Sequence, residues 1–383
     1  MDKPVTAEKI FFHADTLSGL NEDMPLADKL ADVHRFVRGH MPFVARIAVA
    51  LYDAATDTLK TFAHSSEGAN PLPFYESKLG DSASLREIVA RRQPRVVNDT
   101  DLYGSEATHS KSIRGSGFGS SYTLPIFRNG EFLGFLFFNA VAKDAFDDGT
   151  MHFFDLLGHL LSLLVIDGLA TPRALVASVR TATSLAQHRD FETGAHLDRM
   201  AYYARIVARA IAPKYGLTDA DVEHIFLFAP LHDIGKIAIP DDIMLKAGKL
   251  TVPEFEVMKT HTTKGHDIID DMLGNFHLDS TSHANVLRNI ALYHHEAMNG
   301  GGYPAGRAGT DIPIEARIVG VADVFDALTS RRPYKEAWSN DDAYQYLIEN
   351  ADSRFDRDCV AALVKHRDEI ERIQAQFAED GRG

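Results

Sequence analysis

The hydrophobic period of this chain changes once, near residue 167, and that change dictates two domains of different class. From about residue 24 to 52 apolar residues first recur at helical spacing (Leu26, Leu30, Val33, Phe36, Val37) and then alternate (Ile47, Val49, Leu51) before the turn-rich stretch Asp53 to Asp57. That is the pattern of a helix feeding a hairpin. SLREIVARRQ predicts a second helix ahead of RVVND, and SYTLPIF and EFLGFLFFN flank Arg128-Asn129-Gly130. Asn-Gly between two alternating apolar runs marks a hairpin, because both residues tolerate the positive φ of a type I′ turn. Residues 1–168 therefore predict an α+β domain, an antiparallel sheet with helices before and after it. After Asp167 the periodicity is almost continuously helical, and Leu175, Val176, Val179 and Leu185 extend the preceding apolar stripe. The expectation is a helical connector over residues 169–190 leading into an all-α domain over residues 175–383. With 383 residues and 45% hydrophobic side chains, the chain can bury a core in each half.

Charge and composition narrow the chemistry. A formal charge of −14, from 54 acidic against 40 basic residues with no basic block, argues against nucleic acid polymers and anionic membrane surfaces as general partners. An anionic substrate must then be held by a local device. The single cysteine, Cys359, excludes an intramolecular disulfide and a Cys-rich zinc cluster, so any metal takes His and carboxylate ligands. The start MDKPVTAEKI lacks the basic-then-apolar order of a signal peptide, which predicts a cytoplasmic protein. The most apolar run, LLGHLLSLLVI from Leu156 to Ile166, is interrupted by His159 and is shorter than the roughly 20 residues that span a bilayer. It reads as a buried or dimer-forming helix, with Leu156, Leu160, Leu163 and Leu164 offering the apolar stripe of a homodimer.

The histidines that stand out among the 18 fall in short polar signatures within apolar helices: FETGAH (191–196), HDIGK (232–236), KTHTTKGH (259–266), HHE (294–296) and VADVFDALTSRRPYK (321–335). His232-Asp233 follows the apolar IFLFAPL, so two polar groups would stand at the mouth of a buried helix. Leaving them unpaired there would be costly, and either a metal ion or a hydrogen bond to a neighbouring helix would satisfy them.

The order H…HD…H…HH…D, with HHE running into NGGGYP and followed by DVFDALTSRRPYK, closely resembles the HD-GYP family, a branch of the HD phosphohydrolases that hydrolyses the bacterial second messenger cyclic di-GMP. The resemblance covers about residues 175 to 370 and implies an all-helical fold with two or three divalent metal ions per chain, most often iron or manganese. Carried over position by position, it implies metal ligands at His196, His232, Asp233, His261, His294, His295 and Asp323. It places His196, His232 and Asp323 around one ion, His261, His294 and His295 around the other, and Asp233 between them. Glu192, four residues before His196, resembles the subset of the family with a third metal. His232, Asp233 and Lys236 are the implied catalytic residues. Lys236, four residues after His232, would share its face if HDIGK were α-helical, as a phosphate clamp and proton donor to the leaving group. Arg332, Lys335 and Tyr303 are the implied substrate contacts, with Arg suited to bidentate phosphate binding. Asp326 and Asp190 match positions that orient ligand histidines, and Glu296 reads as a structural partner beside them. Gly300 to Gly302 are expected to adopt positive φ and turn the chain, with Tyr303-Pro304 stiffening the exit.

The first half, with its helix, hairpin, helix, Asn-Gly hairpin and helix, looks like a GAF domain, a small-molecule sensor. Tyr122, Phe135 and Phe137 would line its pocket or its core, and the lack of a cysteine there rules out a thioether-linked bilin. The whole reads as a metal-dependent phosphodiesterase that opens cyclic di-GMP to pGpG, with a three-metal site favouring a second cut to GMP, regulated by its N-terminal domain. Two alternatives are a non-catalytic cyclic dinucleotide receptor and a phosphohydrolase acting on another nucleotide, such as a hybrid cyclic dinucleotide. The resemblance also implies contact between the GYP loop and a signalling protein partner.

Overall fold

The computed structural model describes residues 13–22, 24–68, 70, 72–102, 115–185, 194–276, 283–330 and 336–378. The chain divides into two units, Met1–Leu164 and Val165–Gly383.

The first unit is built on a six-stranded sheet of order β3-β2-β1-β6-β5-β4, every neighbouring pair antiparallel. Its strands are β1 (Val44–Asp53), β2 (Thr58–Ser66), β3 (Glu76–Lys78), β4 (Arg95–Val97), β5 (Ser120–Arg128) and β6 (Glu131–Ala140). The β5–β6 turn has Asn129 at φ 51° and Gly130 at φ 87°, the left-handed pair that Asn-Gly supplies at little cost. Helix α1 (Leu26–His40) buries Leu30, Val33 and Val37 on its apolar stripe. Its buried His34 ties helix to sheet through Ser65 Oγ at 2.8 Å and the Val44 carbonyl at 3.0 Å. Helix α2 (Ala83–Arg91), capped by Ser82, covers the opposite face, where Ala50, Leu59, Leu79, Leu85, Ile88, Phe135 and Phe137 form one cluster.

Helix α3 (Asp148–Leu185) runs through the point of division. Its Phe154 meets Phe138 at 5.0 Å and Tyr122 at 5.7 Å between ring centroids, and Asp155 accepts the Tyr122 hydroxyl at 2.7 Å. Tyr122 and Phe135 are thus core residues rather than pocket lining, since they are fixed on opposite faces of the sheet; Phe137 alone of the three borders a cleft. The apolar segment is longer than the run read from sequence. Asp148–Ser178 is long and apolar enough to cross a membrane by length and composition, yet Phe154, Leu157, Leu161 and Val165 are buried along one side while Leu156 and Leu163 stay 69% and 64% exposed.

The second unit, among the described residues, is helical. Helix α4 (Gly194–Tyr215) is apolar nearly all round, carrying Ala201, Ala204, Ala208 and Ala212 among Met200, Tyr203, Ile206 and Ile211, and such a helix must be central. It packs against α5 (Asp219–Phe228), α10 (Ile314–Thr329), α12 (Arg357–Lys365) and α13 (Arg367–Gln376). Between them lie α6 (Asp241–Met244), α7 (Val252–Lys259), α8 (His261–Asn275), α9 (Ala284–Tyr293) and α11 (Asn340–Glu349).

On α5, buried His224 stacks on His283, with centroids 3.4 Å apart and planes within 17°. Burial, and then the charge of His283, push His224 from 6.5 down to about 3. The folded state therefore resists protonation: the contribution is fully present above pH 6.5 and is lost as pH falls from 6.5 towards 3. Urea midpoints measured over this range should fall for the wild type, and His224→Phe, which keeps the stack, should flatten part of that fall; an identical slope in the variant refutes the assignment.

Candidate metal centre

Five separate pieces of the second unit end at one point. His196 lies in the first turn of α4, His232 caps a 3-10 turn (Ala229–Leu231), His261 opens α8, His294 caps α9, and Asp323 sits within α10. Each of four imidazoles is held by its Nδ1. That of His232 meets the Ala229 carbonyl at 2.9 Å, that of His261 the Met258 carbonyl at 2.8 Å, and that of His294 the Ile290 carbonyl at 2.9 Å. The His196 Nδ1 meets Asp326 Oδ2 at 2.8 Å. A carbonyl or carboxylate oxygen only accepts, so the proton is assigned to Nδ1 and each Nε2 presents a lone pair to the interior.

Those lone pairs face carboxylates. Asp233 Oδ1 is 3.1 Å from His261 Nε2 and 3.6 Å from His294 Nε2, while its Oδ2 is 3.2 Å from His232 Nε2. Asp323 Oδ1 lies 3.8 Å from His232 Nε2 and 3.9 Å from His196 Nε2. Among the described residues no hydrogen bond of proper geometry reaches Asp233 Oδ1, His261 Nε2 or His294 Nε2, although all three are buried. Acceptors brought this close without a proton between them repel, and a cation removes the repulsion. The donor set, neutral imidazole and carboxylate without thiolate, suits Fe, Mn or Zn. The potential ligand atoms form two groups, Asp233, His261, His294 and His295 in one and His196, His232 and Asp323 in the other, each within 4.8 Å of one another.

Electrostatics favour the ligating form of His294, His295 and Asp233. Burial, followed by the neighbouring His294, holds His295 well below the usual imidazole range, and burial likewise lowers His294. Burial alone would raise Asp233, but Lys236 and His232 outweigh it and keep the carboxyl well below its ordinary value. Asp326, where burial is outweighed by hydrogen bonds from His196 and Arg199, sits at about 2. Arg199 grips both oxygens of Asp326, at 2.7 and 2.9 Å. Sequence reading missed Arg199, yet its place three residues after His196 puts both on one helical face.

The segment HDIGK does not meet the α-helical condition under which Lys236 would share the face of His232. Ile234–Ala238 is a 3-10 helix, three residues per turn, so Lys236 stands over Asp233 rather than His232, its Nζ 2.8 Å from Asp233 Oδ2. The cause of the tight path is Gly235, which lies against α8: a Cβ there would come within 1.8 Å of the His261 carbonyl oxygen.

The loop after α9 also differs in part from expectation. Only Gly300 of the three glycines has positive φ, at 77°; Gly302 is required instead by a close approach, since a Cβ would lie 2.3 Å from the Ala297 nitrogen. Glu296 accepts the Ala305 and Arg307 amides at 2.8 and 3.0 Å and folds the loop back on itself. The Tyr303-Pro304 bond is cis. Tyr303 packs 4.8 Å from His295 between centroids, and with His294, Phe255, Arg317 and Arg354 it lines a cavity of ≈ 250 Å³. Glu192, Arg332 and Lys335, with Asp190, lie outside the described residues.

A helical domain with paired histidine–carboxylate clusters at helix ends is the framework of a divalent-metal protein. Residues 181–359 match the family model for the HD domain and residues 33–165 that for the GAF domain, so the chain carries a GAF domain followed by an HD domain. It is 47% identical over 192 residues to the cyclic di-GMP phosphodiesterase response regulator RpfG of Xanthomonas campestris, covering 50% of this chain and 48% of that protein. It is 38% identical over 236 residues to a cyclic di-GMP phosphodiesterase of Vibrio cholerae (59% and 48% covered). Against the 3'3'-cGAMP-specific phosphodiesterase 2 of Vibrio cholerae it is 36% identical over 216 residues (56% and 39% covered). The chain spans about half the length of these curated relatives or less.

Because Gly235 seats the His232-Asp233 segment on α8, Gly235→Ala must displace one from the other. The expected outcome is a loss of roughly 1–3 kcal/mol of stability together with reduced metal content by elemental analysis. Wild-type metal content and melting in the variant would show that the contact does not position the site.

Proposed function

We propose that this chain is a metal-dependent phosphodiesterase that opens cyclic di-GMP to pGpG, with onward cutting to GMP, under the control of its N-terminal domain. The single observation that carries the reading is the convergence of buried imidazole Nε2 atoms on the two oxygens of Asp233. In this reading His196, His232 and Asp323 hold one ion, His261, His294 and His295 another, and Asp233 lies between them. Glu192, four residues before His196 in sequence, would be a ligand to a third ion. Divalent ions bound there, with Fe and Mn the favoured pair, would supply Lewis acidity to the phosphate and a nucleophilic water at neutral pH.

The chain's own residues do the rest. Asp326 and the Ala229, Met258 and Ile290 carbonyls fix each ring's tautomer and direction, so no ring need reorient when substrate enters. Water adds across the P–O3′ bond: the phosphorus gains the water oxygen as a 5′-phosphate, and the released 3′ oxygen takes a proton. Lys236 is the donor of that proton and the clamp on the phosphate, moving from Asp233 Oδ2 to the substrate. Arg332 and Lys335 grip the substrate's phosphates or guanine, a local positive device in a chain of net charge −14. Tyr303, beside His295, offers a ring edge to a base. A second reading, a hybrid cyclic dinucleotide as substrate, is favoured by the similarity to the 3'3'-cGAMP-specific protein. The protein is further proposed to be cytoplasmic and to form a homodimer through the exposed Leu156 and Leu163 of α3, with the GYP loop open to a signalling partner.

Anaerobically purified protein loaded with ferrous iron or manganese should convert cyclic di-GMP to pGpG and GMP, resolved by chromatography. His232→Ala and Asp233→Ala should each lower the rate by at least about 100-fold, and Asp326→Asn by roughly 10–100-fold. No product from the wild type, or wild-type rates in the first two variants, removes the reading; faster turnover of 3'3'-cGAMP selects the second. Elemental analysis of the same samples should find one ion fewer in Glu192→Ala, and an unchanged count excludes Glu192 as a ligand. By sedimentation, Leu156→Glu with Leu163→Glu should shift a dimer to monomer; a variant that stays dimeric places the interface elsewhere.

A further inference from the structure

The cavity of ≈ 250 Å³ beside Tyr303 is walled by the loop after α9, one face of α10, the turn ahead of α12 and Phe255 of α7. On α10 the bordering residues Ala316, Gly320 and Val324 recur every four positions, which places them on one stripe. Gly320 brings α10 close to the loop, since a Cβ there would lie 2.6 Å from the His294 carbonyl oxygen. The turn is tied to the same loop through the backbone: the Met298 amide donates to the Arg354 carbonyl at 3.2 Å and the Asn299 amide to the Ser353 carbonyl at 2.9 Å. His295 belongs both to the cavity wall and to a metal-ligand group, so the cavity and the metal centre share an edge.

Size and lining restrict what can enter. Sites for drug-sized ligands run to about 300–1,000 Å³. A cavity of ≈ 250 Å³ therefore admits one ring system and not a whole cyclic dinucleotide. Phe255, Tyr303 and Phe355 give it the aromatic walls that suit a planar ring. Its charged groups are unequal. Arg317 Nη1 donates to Asp356 at 2.6 Å, and the Glu296 oxygens accept the Ala305 and Arg307 amides at 2.8 and 3.0 Å. Arg354 is less committed: among the described residues its guanidinium forms no ion pair, with Nη1 3.3 Å from the Tyr346 hydroxyl and the group 5.5 Å from the Phe355 ring centroid.

A guanidinium distinguishes purines along one edge. Guanine presents two acceptors there, O6 and N7, which the forked N–H groups of arginine match, whereas adenine sets an amino donor beside N7. Resting on the phosphodiesterase reading, we propose that this cavity receives one base of the bound substrate and that Arg354 makes it a guanine subsite, its guanidinium forked onto O6 and N7. The edge shared at His295 keeps that nucleotide's phosphate on the metal side. Arg354 lies outside the HDIGK, HHE and RRPYK signatures, so its part in base selection is separate from metal binding and from the grip on the phosphates. One guanine is enough to fill the subsite. A hybrid cyclic dinucleotide with one guanine is accepted, and cyclic di-AMP is disfavoured.

The test uses the metal-loaded full chain with GMP and AMP as probes, their affinities read by calorimetry. GMP should bind at least about tenfold more tightly than AMP, the lower range of discrimination expected of one forked contact. Arg354→Gln and Arg354→Lys should each bring that ratio below about threefold, with a parallel fall in the preference in kcat/KM for cyclic di-GMP over cyclic di-AMP. Lysine keeps the charge and loses the fork, which separates base reading from attraction to phosphate. A merely structural role would weaken both nucleotides alike and leave the ratio where it was. The proposal is overturned if GMP does not bind, if the wild type binds AMP equally well, or if either folded variant keeps the wild-type ratio. Wild-type turnover of bis(p-nitrophenyl) phosphate, a diester without a base, tests hydrolysis by itself. Its absence beside an intact GMP preference removes the phosphodiesterase reading and leaves guanine binding standing; turnover without that preference does the reverse.

Discussion

Everything in the helical half is arranged around one unfavourable contact: lone pairs of buried imidazoles aimed at the oxygens of Asp233. The direction of each ring is set not at the centre but behind it, where Nδ1 is tied to the carbonyls of Ala229, Met258 and Ile290 or to Asp326. Those backbone acceptors belong to helix ends and tight turns. The same local feature thus fixes the tautomer and faces the second nitrogen inward. Burial then lowers His294 and His295, and Lys236, which outweighs the burial of Asp233, keeps that carboxyl ionised. The result is a pocket of acceptors that is electrostatically incomplete without a cation.

Close backbone packing makes this convergence possible. Gly235 lets the His232-Asp233 turn lie directly on α8, and the turn tightens to 3-10 geometry so that Lys236 is carried over Asp233. Arg199 and His196, one turn apart on α4, clamp the same carboxylate of α10, so the central helix and the ligand-bearing helix are locked by the interaction that orients the first imidazole. Structure and site are therefore one network here, and a change that loosens α4 against α10 also turns His196. The first unit uses the opposite strategy. Its sheet is secured by aromatic packing of Tyr122, Phe138 and Phe154 on one face, which leaves part of the other face free to carry buried polar groups around Arg46.

Much of this was legible in advance. Asn129-Gly130 between alternating runs announced its hairpin because few residues accept left-handed φ twice in succession. The spaced HD, HHE and DVFD signatures pointed to the residues that the fold assembles, since polar pairs inside apolar helices need a reason to be there. What failed were inferences about local path. Lys236 would stand beside His232 only if HDIGK were α-helical, and Gly300 to Gly302 were given positive φ together, but both segments are decided by what they press against: α8 for Gly235, and the Glu296–Ala297 backbone for Gly302. Arg199 escaped notice because an arginine on a helix is ordinary until its carboxylate partner, 127 residues away in sequence, is known.

The sequence by itself determined the class of each half and the chemical types at the centre, because hydrophobic period and donor chemistry are properties of residues and their spacing. Only the tertiary structure decided which nitrogen of each ring faces inward, which oxygen of Asp233 faces which imidazoles, and where Lys236 stands. Those are matters of direction, and direction comes from backbone contacts between segments that are far apart along the chain.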